Sequence, residues 1–181
     1  MQVTATSVPE VLVIEPKVFS DERGFFFENF NRKLLAEKAG LTADFVQENH
    51  SRSAKGVLRG MHYQIQHPQG KLVRVVRGSV FDVSVDIRRS SPNFGRWVGV
   101  GLSEKNHRQV WVPPGFAHGF LVLSESADFL YKTTDYWYPE HERCICWNDP
   151  TIGIDWPLNE GPTLSPKDAQ GDKIADAEVF E

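Results

Sequence analysis

The stretch Val80-Phe81-Asp82-Val83-Ser84-Val85-Asp86-Ile87-Arg88 alternates throughout, with Phe81, Val83, Val85 and Ile87 on one side and Asp82, Ser84, Asp86 and Arg88 on the other. Successive side chains of an extended chain point to opposite faces, so this is a strand with one apolar face. Its acid-bearing face must meet solvent or a polar cavity. Downstream, short strands are expected near Arg96 to Leu102, Gln109 to Val112, Phe120 to Leu123, Phe129 to Trp137 and Cys144 to Trp147. Turns such as Ser91-Pro92-Asn93 and Pro113-Pro114-Gly115 divide them. Upstream, Val11 to Ile14 and Gly24 to Phe30 read as strands around the turn Asp21-Glu22-Arg23-Gly24. The consecutive Phe25, Phe26 and Phe27 imply apolar cover on both faces of the second of these. Phe45 to Ser51 alternates again, with Gln47, Asn49 and Ser51 on one face. One helix is expected, capped by Asn31, running to about Ala39 with Leu34 and Leu35 inward, and stopped by Gly40. So many short strands at this spacing make the chain all-β, a sandwich or barrel.

At 181 residues the chain suits a single domain. Apolar and charged fractions of 40% and 24% are those of an ordinary globular protein, and 12 Phe with 11 Pro and 14 Gly favour strands and turns. The net charge of −4 gives no general attraction to nucleic acid or anionic membrane, so any bound anion needs local Arg and Lys. The N-terminal region carries no secretory pattern and no apolar run is long enough to span a bilayer, so a cytoplasmic protein is expected. Cys144 and Cys146 are too close in sequence for a good disulfide and read as buried thiols. Beyond Trp156-Pro157 the pattern is irregular, and the polar segment after about residue 169 reads as loosely packed and flexible.

Chemistry-bearing residues concentrate in Val57-Leu58-Arg59-Gly60-Met61-His62-Tyr63-Gln64 and Gly70-Lys71-Leu72-Val73-Arg74-Val75. Polar groups on a buried strand are costly unless paired or used. His62 is either an ordinary strand histidine or a general base, a role that suits imidazole chemistry. Lys71 is a strand-start charge or a donor to a developing oxyanion, and Tyr131 a core aromatic or a proton donor. Ser165-Pro166-Lys167-Asp168 reads by itself as a helix start with an acid in the first turn.

Pro113-Pro114-Gly115-Phe116-Ala117-His118-Gly119-Phe120 has the Pro-x-Gly-x-x-His form of the second cupin motif, which belongs to small jelly-roll barrels. Metal-binding cupins add a His-x-His and a Glu from the first motif. Here that region offers only His62, followed by Tyr63 and Gln64, so no bound metal and no cofactor are expected.

Several stretches in order strongly resemble the dTDP-4-dehydrorhamnose 3,5-epimerase family. They are Asp21 to Phe26, Val57 to His62, Gly78 to Arg88, Ser91 to Trp97, Gly115 to Phe120, Tyr131 to Thr134 and Leu164 to Asp168. The resemblance spans about Val11 to Asp168. It implies a metal-free, cupin-type jelly-roll homodimer that inverts carbons 3 and 5 of dTDP-4-dehydro-6-deoxy-D-glucose in dTDP-L-rhamnose biosynthesis. It implies His62 as base, Asp168 as its orienting partner, Lys71 near the keto oxygen and Tyr131 as acid on the opposite face. It assigns Arg23, Glu28, Gln47, Asn49, Arg59, His118, Glu142 and Lys167 to substrate binding, some supplied by the other subunit, and puts Trp137 where the family stacks a Tyr on thymine. A regular strand through Trp137 would line Tyr131, Thr133, Asp135 and Trp137 along one wall. Arg59 and His62, by contrast, fall on opposite faces of a regular strand, so both reach one ligand only if Gly60 permits a bulge or Arg59 serves a different edge of the site. Alternatives are a mono-epimerase on a related nucleotide 4-keto sugar, a metal-dependent cupin, and a sugar-nucleotide binding module without catalysis.

Overall fold

The computed structural model describes residues 1–181. The strands are β1 (Gln2–Ala5), β2 (Leu12–Glu15), β3 (Phe19–Asp21), β4 (Gly24–Phe26), β5 (Gln47–Ala54), β6 (Leu58–Gln64), β7 (Lys71–Arg77), β8 (Ser79–Asp86), β9 (Trp97–Ser103), β10 (Gln109–Val112), β11 (Phe116–Val122), β12 (Ser126–Thr133) and β13 (Glu142–Cys144). They form a six-stranded sheet in the order β1-β2-β10-β7-β12-β5, a five-stranded sheet in the order β13-β6-β11-β8-β9, and the separate hairpin β3-β4. Neighbouring strands pair antiparallel. The architecture is the cupin-like jelly roll. Helix α1 (Arg32–Ala39) is capped by the Asn31 side chain, which accepts from Leu34 N–H, and closed by Gly40 at φ 67°. Gly40 holds a left-handed conformation that a side chain would oppose.

The core has three layers. Val73, Val75, Val80, Leu102, Phe116, Phe120 and Phe129 pack between the sheets. On the outer face of the six-stranded sheet, Ile14, Leu72 and Trp111 pack with Leu35 of α1. On the outer face of the five-stranded sheet, Val83, Val85, Ile87, Ala117 and Leu121 meet Ile152, Trp156, Ile174, Ala177 and Val179. The apolar face of β8 therefore points away from the barrel, and its polar face points inward: Asp82, Ser84 and Asp86 are at most 1% exposed. The inward placement buries the acid-bearing face, where Asp82 meets His118 and Asp86 pairs with Arg88.

That arrangement corrects the expectation of a loose C-terminal segment. Ile174, Ala177 and Val179 are buried, Cys146 N–H donates to Asp172 O at 2.8 Å, and the Tyr63 hydroxyl donates to Glu178 O at 2.5 Å. The segment has no periodic pattern because it makes no sheet or helix of its own; three apolar residues suffice to seal a sheet already formed. The phenylalanine run also differs from expectation. β4 ends at Phe26, and Phe25 and Phe26 are 63% and 67% exposed, since a two-stranded hairpin has no sheet to cover either face. The last two expected strands differ from their patterns: β12 stops at Thr133 instead of running to Trp137, and β13 covers Glu142–Cys144, meeting the expected Cys144 to Trp147 only at its first residue.

Candidate active site

Gly60 places the central residues. At φ 141° it holds a backbone shape that a side chain resists, and the pairing of β6 with β11 shifts register between His118 and Phe120. Leu58 and Met61 consequently share the outer core, whereas Arg59 and His62 both line the inner cleft. The two strands touch backbone to backbone: a Cβ on Gly119 would lie 2.6 Å from Arg59 O and 2.9 Å from Gly60 Cα.

Two adjoining hollows, of about 140 and 240 Å³, share His62, Lys71 and Tyr131. The inner one is closed by Ser51, Arg59, His118, Phe120 and Phe129, the outer by Gln47, Asn49, Gln69, Trp137 and Glu142. The wall bearing His62, Arg59 and His118 comes from the five-stranded sheet; the wall bearing Lys71, Tyr131, Gln47 and Asn49 comes from the six-stranded one. A ligand in the cleft thus meets the imidazole from one sheet and the phenol from the other.

His62 Nε2 lies 2.5 Å from Asp168 Oδ1. A carboxylate only accepts, so Nε2 carries the proton and Nδ1 is the nitrogen with a free lone pair. Ser165 Oγ donates to Asp168 Oδ2 at 2.8 Å, and Asp168 N–H donates back to Ser165 Oγ at 3.1 Å. The turn-start reading of Ser165 and Asp168 and the orienting role are therefore compatible, because a one-turn 3-10 helix aims the acid at the imidazole. Burial alone would raise the Asp168 carboxyl, but His62, Ser165 and the Gly60 backbone N–H hold it below the ordinary carboxylate value.

Lys71 is 9% exposed, and its ammonium reaches His62 O at 3.4 Å. Burial lowers its pKa to about 8, against the opposing pull of Glu142 and Asp82. Burial likewise pushes the Tyr131 phenol above its usual value, opposed by a hydrogen bond with Asn49. The Gln47 amide N–H donates to Asn49 Oδ1 at 2.9 Å, and the Trp137 backbone N–H donates to Gln47 Oε1 at 3.2 Å. Trp137 reaches the cleft through a turn after Thr133, not along a continued strand, and Asp135 leaves the wall to meet His67. The Trp137 indole is 55% exposed at the mouth, with its N–H 3.3 Å from Glu142, which also pairs with Lys167.

His118, which the resemblance assigns to binding, lines the inner hollow. It is 7% exposed, at the inner end, with Nε2 2.9 Å from Asp82 Oδ2. Asp82 Oδ1 and Ser84 Oγ lack partners there. Arg23 and Glu28 do not reach this cleft at all: Arg23 pairs with Asp21 on the exposed hairpin, and Glu28 accepts from Asn31. Sequence reasoning missed Asp82 as a site neighbour, although the polar face of its strand was the available signal. It also missed Cys144, which is only partly buried and sits against His62 and Asp168, with burial pushing its thiol up to about 12.

The sequence model of the family described as dTDP-4-dehydrorhamnose 3,5-epimerase matches residues 5–176. A dTDP-4-dehydrorhamnose 3,5-epimerase of Pseudomonas aeruginosa is 62% identical over 180 residues, covering 99% of each chain. A Legionella pneumophila dTDP-6-deoxy-D-glucose-3,5-epimerase, solved with dTDP-4-keto-L-rhamnose, superposes with a TM-score of 0.95 at 56% identity, covering 98% of this chain and 94% of that one. A 3'-monoepimerase of Streptomyces bikiniensis, solved with dTDP-quinovose, gives 0.88 at 32% identity, covering 97% and 88%.

Proposed function

The chain belongs to the dTDP-4-dehydrorhamnose 3,5-epimerase family, and from that premise we propose that His62, Lys71 and Tyr131 divide its proton transfers between the two faces of the sugar ring. The reaction is epimerisation of dTDP-4-dehydro-6-deoxy-D-glucose at carbons 3 and 5 to dTDP-4-dehydro-L-rhamnose. Hydrogens alpha to the 4-keto group are acidic because the electrons left behind delocalise onto the ketone oxygen, so a base, an oxyanion stabiliser and an acid suffice. The Nδ1 lone pair of His62 takes the proton, and Asp168 stabilises the imidazolium. The Lys71 ammonium faces the enolate oxygen. Tyr131 returns a proton from the other side; solvent then reprotonates the phenolate and takes the proton from the His62 imidazolium. The observation that carries this reading is the 2.5 Å dyad on one sheet facing Lys71 and Tyr131 on the other across one cleft.

The diphosphate fits the cationic groups of the cleft, Arg59 above all, which Ser53 anchors at 2.9 Å. Trp137 at the mouth presents an aromatic face for thymine. Arg23 and Glu28, remote from their own cleft, belong in this reading to the site of a second copy in a homodimer. The exposed Phe19, Phe25 and Phe26 beside them supply an apolar contact surface. Two free thiols suit a reducing, cytoplasmic setting. No helix is long and apolar enough to cross a membrane.

The test is proton NMR of the substrate with the protein in D₂O, following positions 3 and 5 separately, since the likeness to a monoepimerase shows that this scaffold serves single-centre chemistry as well. His62→Ala should abolish exchange and inversion together. Tyr131→Phe should still incorporate deuterium, with largely retained configuration, because His62 can return a proton only to the face it came from. Inversion by Tyr131→Phe at close to the parental rate would remove Tyr131 from the reaction.

A further inference from the structure

In the register of β13 against β6, Cys144 stands directly opposite His62. Cross-strand partners project on the same side, and here the Cys144 Sγ, a His62 ring nitrogen and an Asp168 carboxylate oxygen all lie within 4.8 Å of one another. No proton transfer described above uses Cys144. We propose that these three side chains form an inhibitory site for a thiophilic divalent cation of the zinc class, whose binding disarms His62.

Zinc accepts thiolate, imidazole and carboxylate together, at bond lengths of roughly 2.0–2.3 Å that place the ligand atoms of a tetrahedron about 3.4–3.6 Å apart. The trio brackets that spacing, with His62 and Asp168 closer, at 2.5 Å, and the widest separation within 4.8 Å. Small side-chain rotations reach it. The Cys144 thiol is held only by weak contacts to Gly60 O at 3.5 Å and Ile145 O at 3.6 Å, so little opposes its turning. A thiolate and a carboxylate balance the double charge of the cation, and His62, whose side chain is 27% exposed, opens the fourth position to water from the cleft.

Binding involves no oxidation or reduction. The thiol proton leaves to solvent, and the imidazole proton moves from Nε2, now bound to the metal, to Nδ1. Nδ1 is the nitrogen that otherwise receives the substrate proton, so the base is consumed. Binding itself stands apart from the catalytic reading; only the inhibition rests on it.

Chelator-treated protein is titrated with Zn²⁺ by calorimetry and with Cd²⁺ by the ultraviolet charge-transfer absorption of a cadmium thiolate. One equivalent should bind with the thiolate band, and Cys144→Ala should lose both, whereas Cys146→Ala should keep them. In the epimerisation assay Zn²⁺ should inhibit the parent, reversibly on chelation. Cys144→Ala, with its metal-free turnover intact, should need at least tenfold more Zn²⁺ for the same inhibition. Absence of a thiolate band in the parent overturns the site, as does unchanged binding or inhibition in Cys144→Ala. Should Cys144→Ala not fold, the cadmium spectrum of Cys146→Ala decides, because Cys144 is then the sole thiol.

Discussion

Replacing Asp168 by Asn keeps the shape of the dyad and removes its charge. When His62 takes a substrate proton, the imidazolium that forms sits against a carboxylate that is 4% exposed and 2.5 Å from Nε2. At an effective dielectric of about 20, opposite charges roughly 3 Å apart attract by about 5–6 kcal/mol. An amide oxygen at the same place retains part of this through its dipole. The proton-abstraction step should therefore lose about 3–5 kcal/mol, a fall in kcat of about 10²–10⁴-fold. The upper end applies if the amide nitrogen turns toward His62, because that orientation reverses the tautomer and moves the proton onto Nδ1. Ser165, which donates to one carboxylate oxygen, decides between the two by accepting from the amide nitrogen or donating to the amide oxygen. The assay is deuterium incorporation at carbons 3 and 5 in D₂O at saturating substrate, together with KM. Both exchange rates should fall in parallel while KM changes only a few-fold, since Asp168 is shielded from the cleft behind His62. Exchange within about threefold of the parent would refute the orienting role, and so would a large rise in KM at unchanged kcat.

Lys71→Met should trade activity for stability. The folded ammonium titrates near 8, below its ordinary value of 10.5, so the folded state binds the proton less well, and the penalty is full below about pH 8 and relieved as pH rises toward 10.5. At pH 7 the variant should gain on the order of 2–3 kcal/mol in denaturant unfolding, with a smaller gain at pH 10, and lose about 10²–10³-fold in kcat. A less stable variant at pH 7 would contradict this. Trp137→Ala should raise KM more than it lowers kcat, because the indole lies at the mouth, away from the dyad; an unchanged KM with a large fall in kcat would remove the stacking role. Gly119→Ala should cost about 1–3 kcal/mol and depress turnover, since its methyl would meet the backbone that sets Arg59 and His62; parental stability and rate would show that the two strands need no such approach.

Much of this protein was legible in one dimension, and where it was, local rules governed. The period-two alternation of Val80 to Arg88, the Asn31 and Gly40 caps and the turn residues are each satisfied within a few residues of chain, and the strand, helix and turns stand close to where they were expected. His62, Lys71, Tyr131 and Asp168 were legible by resemblance, and Gly60 hinted at the irregularity that brings Arg59 and His62 to the same cleft.

Other features depended on partners distant in sequence. Alternation shows that β8 has two faces but not which one meets the barrel interior; that choice falls to the C-terminal segment, whose Ile174, Ala177 and Val179 cover the apolar face and leave Asp82 and Ser84 inside. The same lack of a partner leaves Phe25 and Phe26 exposed on a hairpin that their composition marked for burial. Cys144 lies beside His62 because β13 pairs with β6, a register set across 81 residues of intervening chain by the geometry of the sheet. Residue type and spacing determined the elements and the chemical groups available; pairing between distant strands, which no local pattern encodes, decided which of those groups meet.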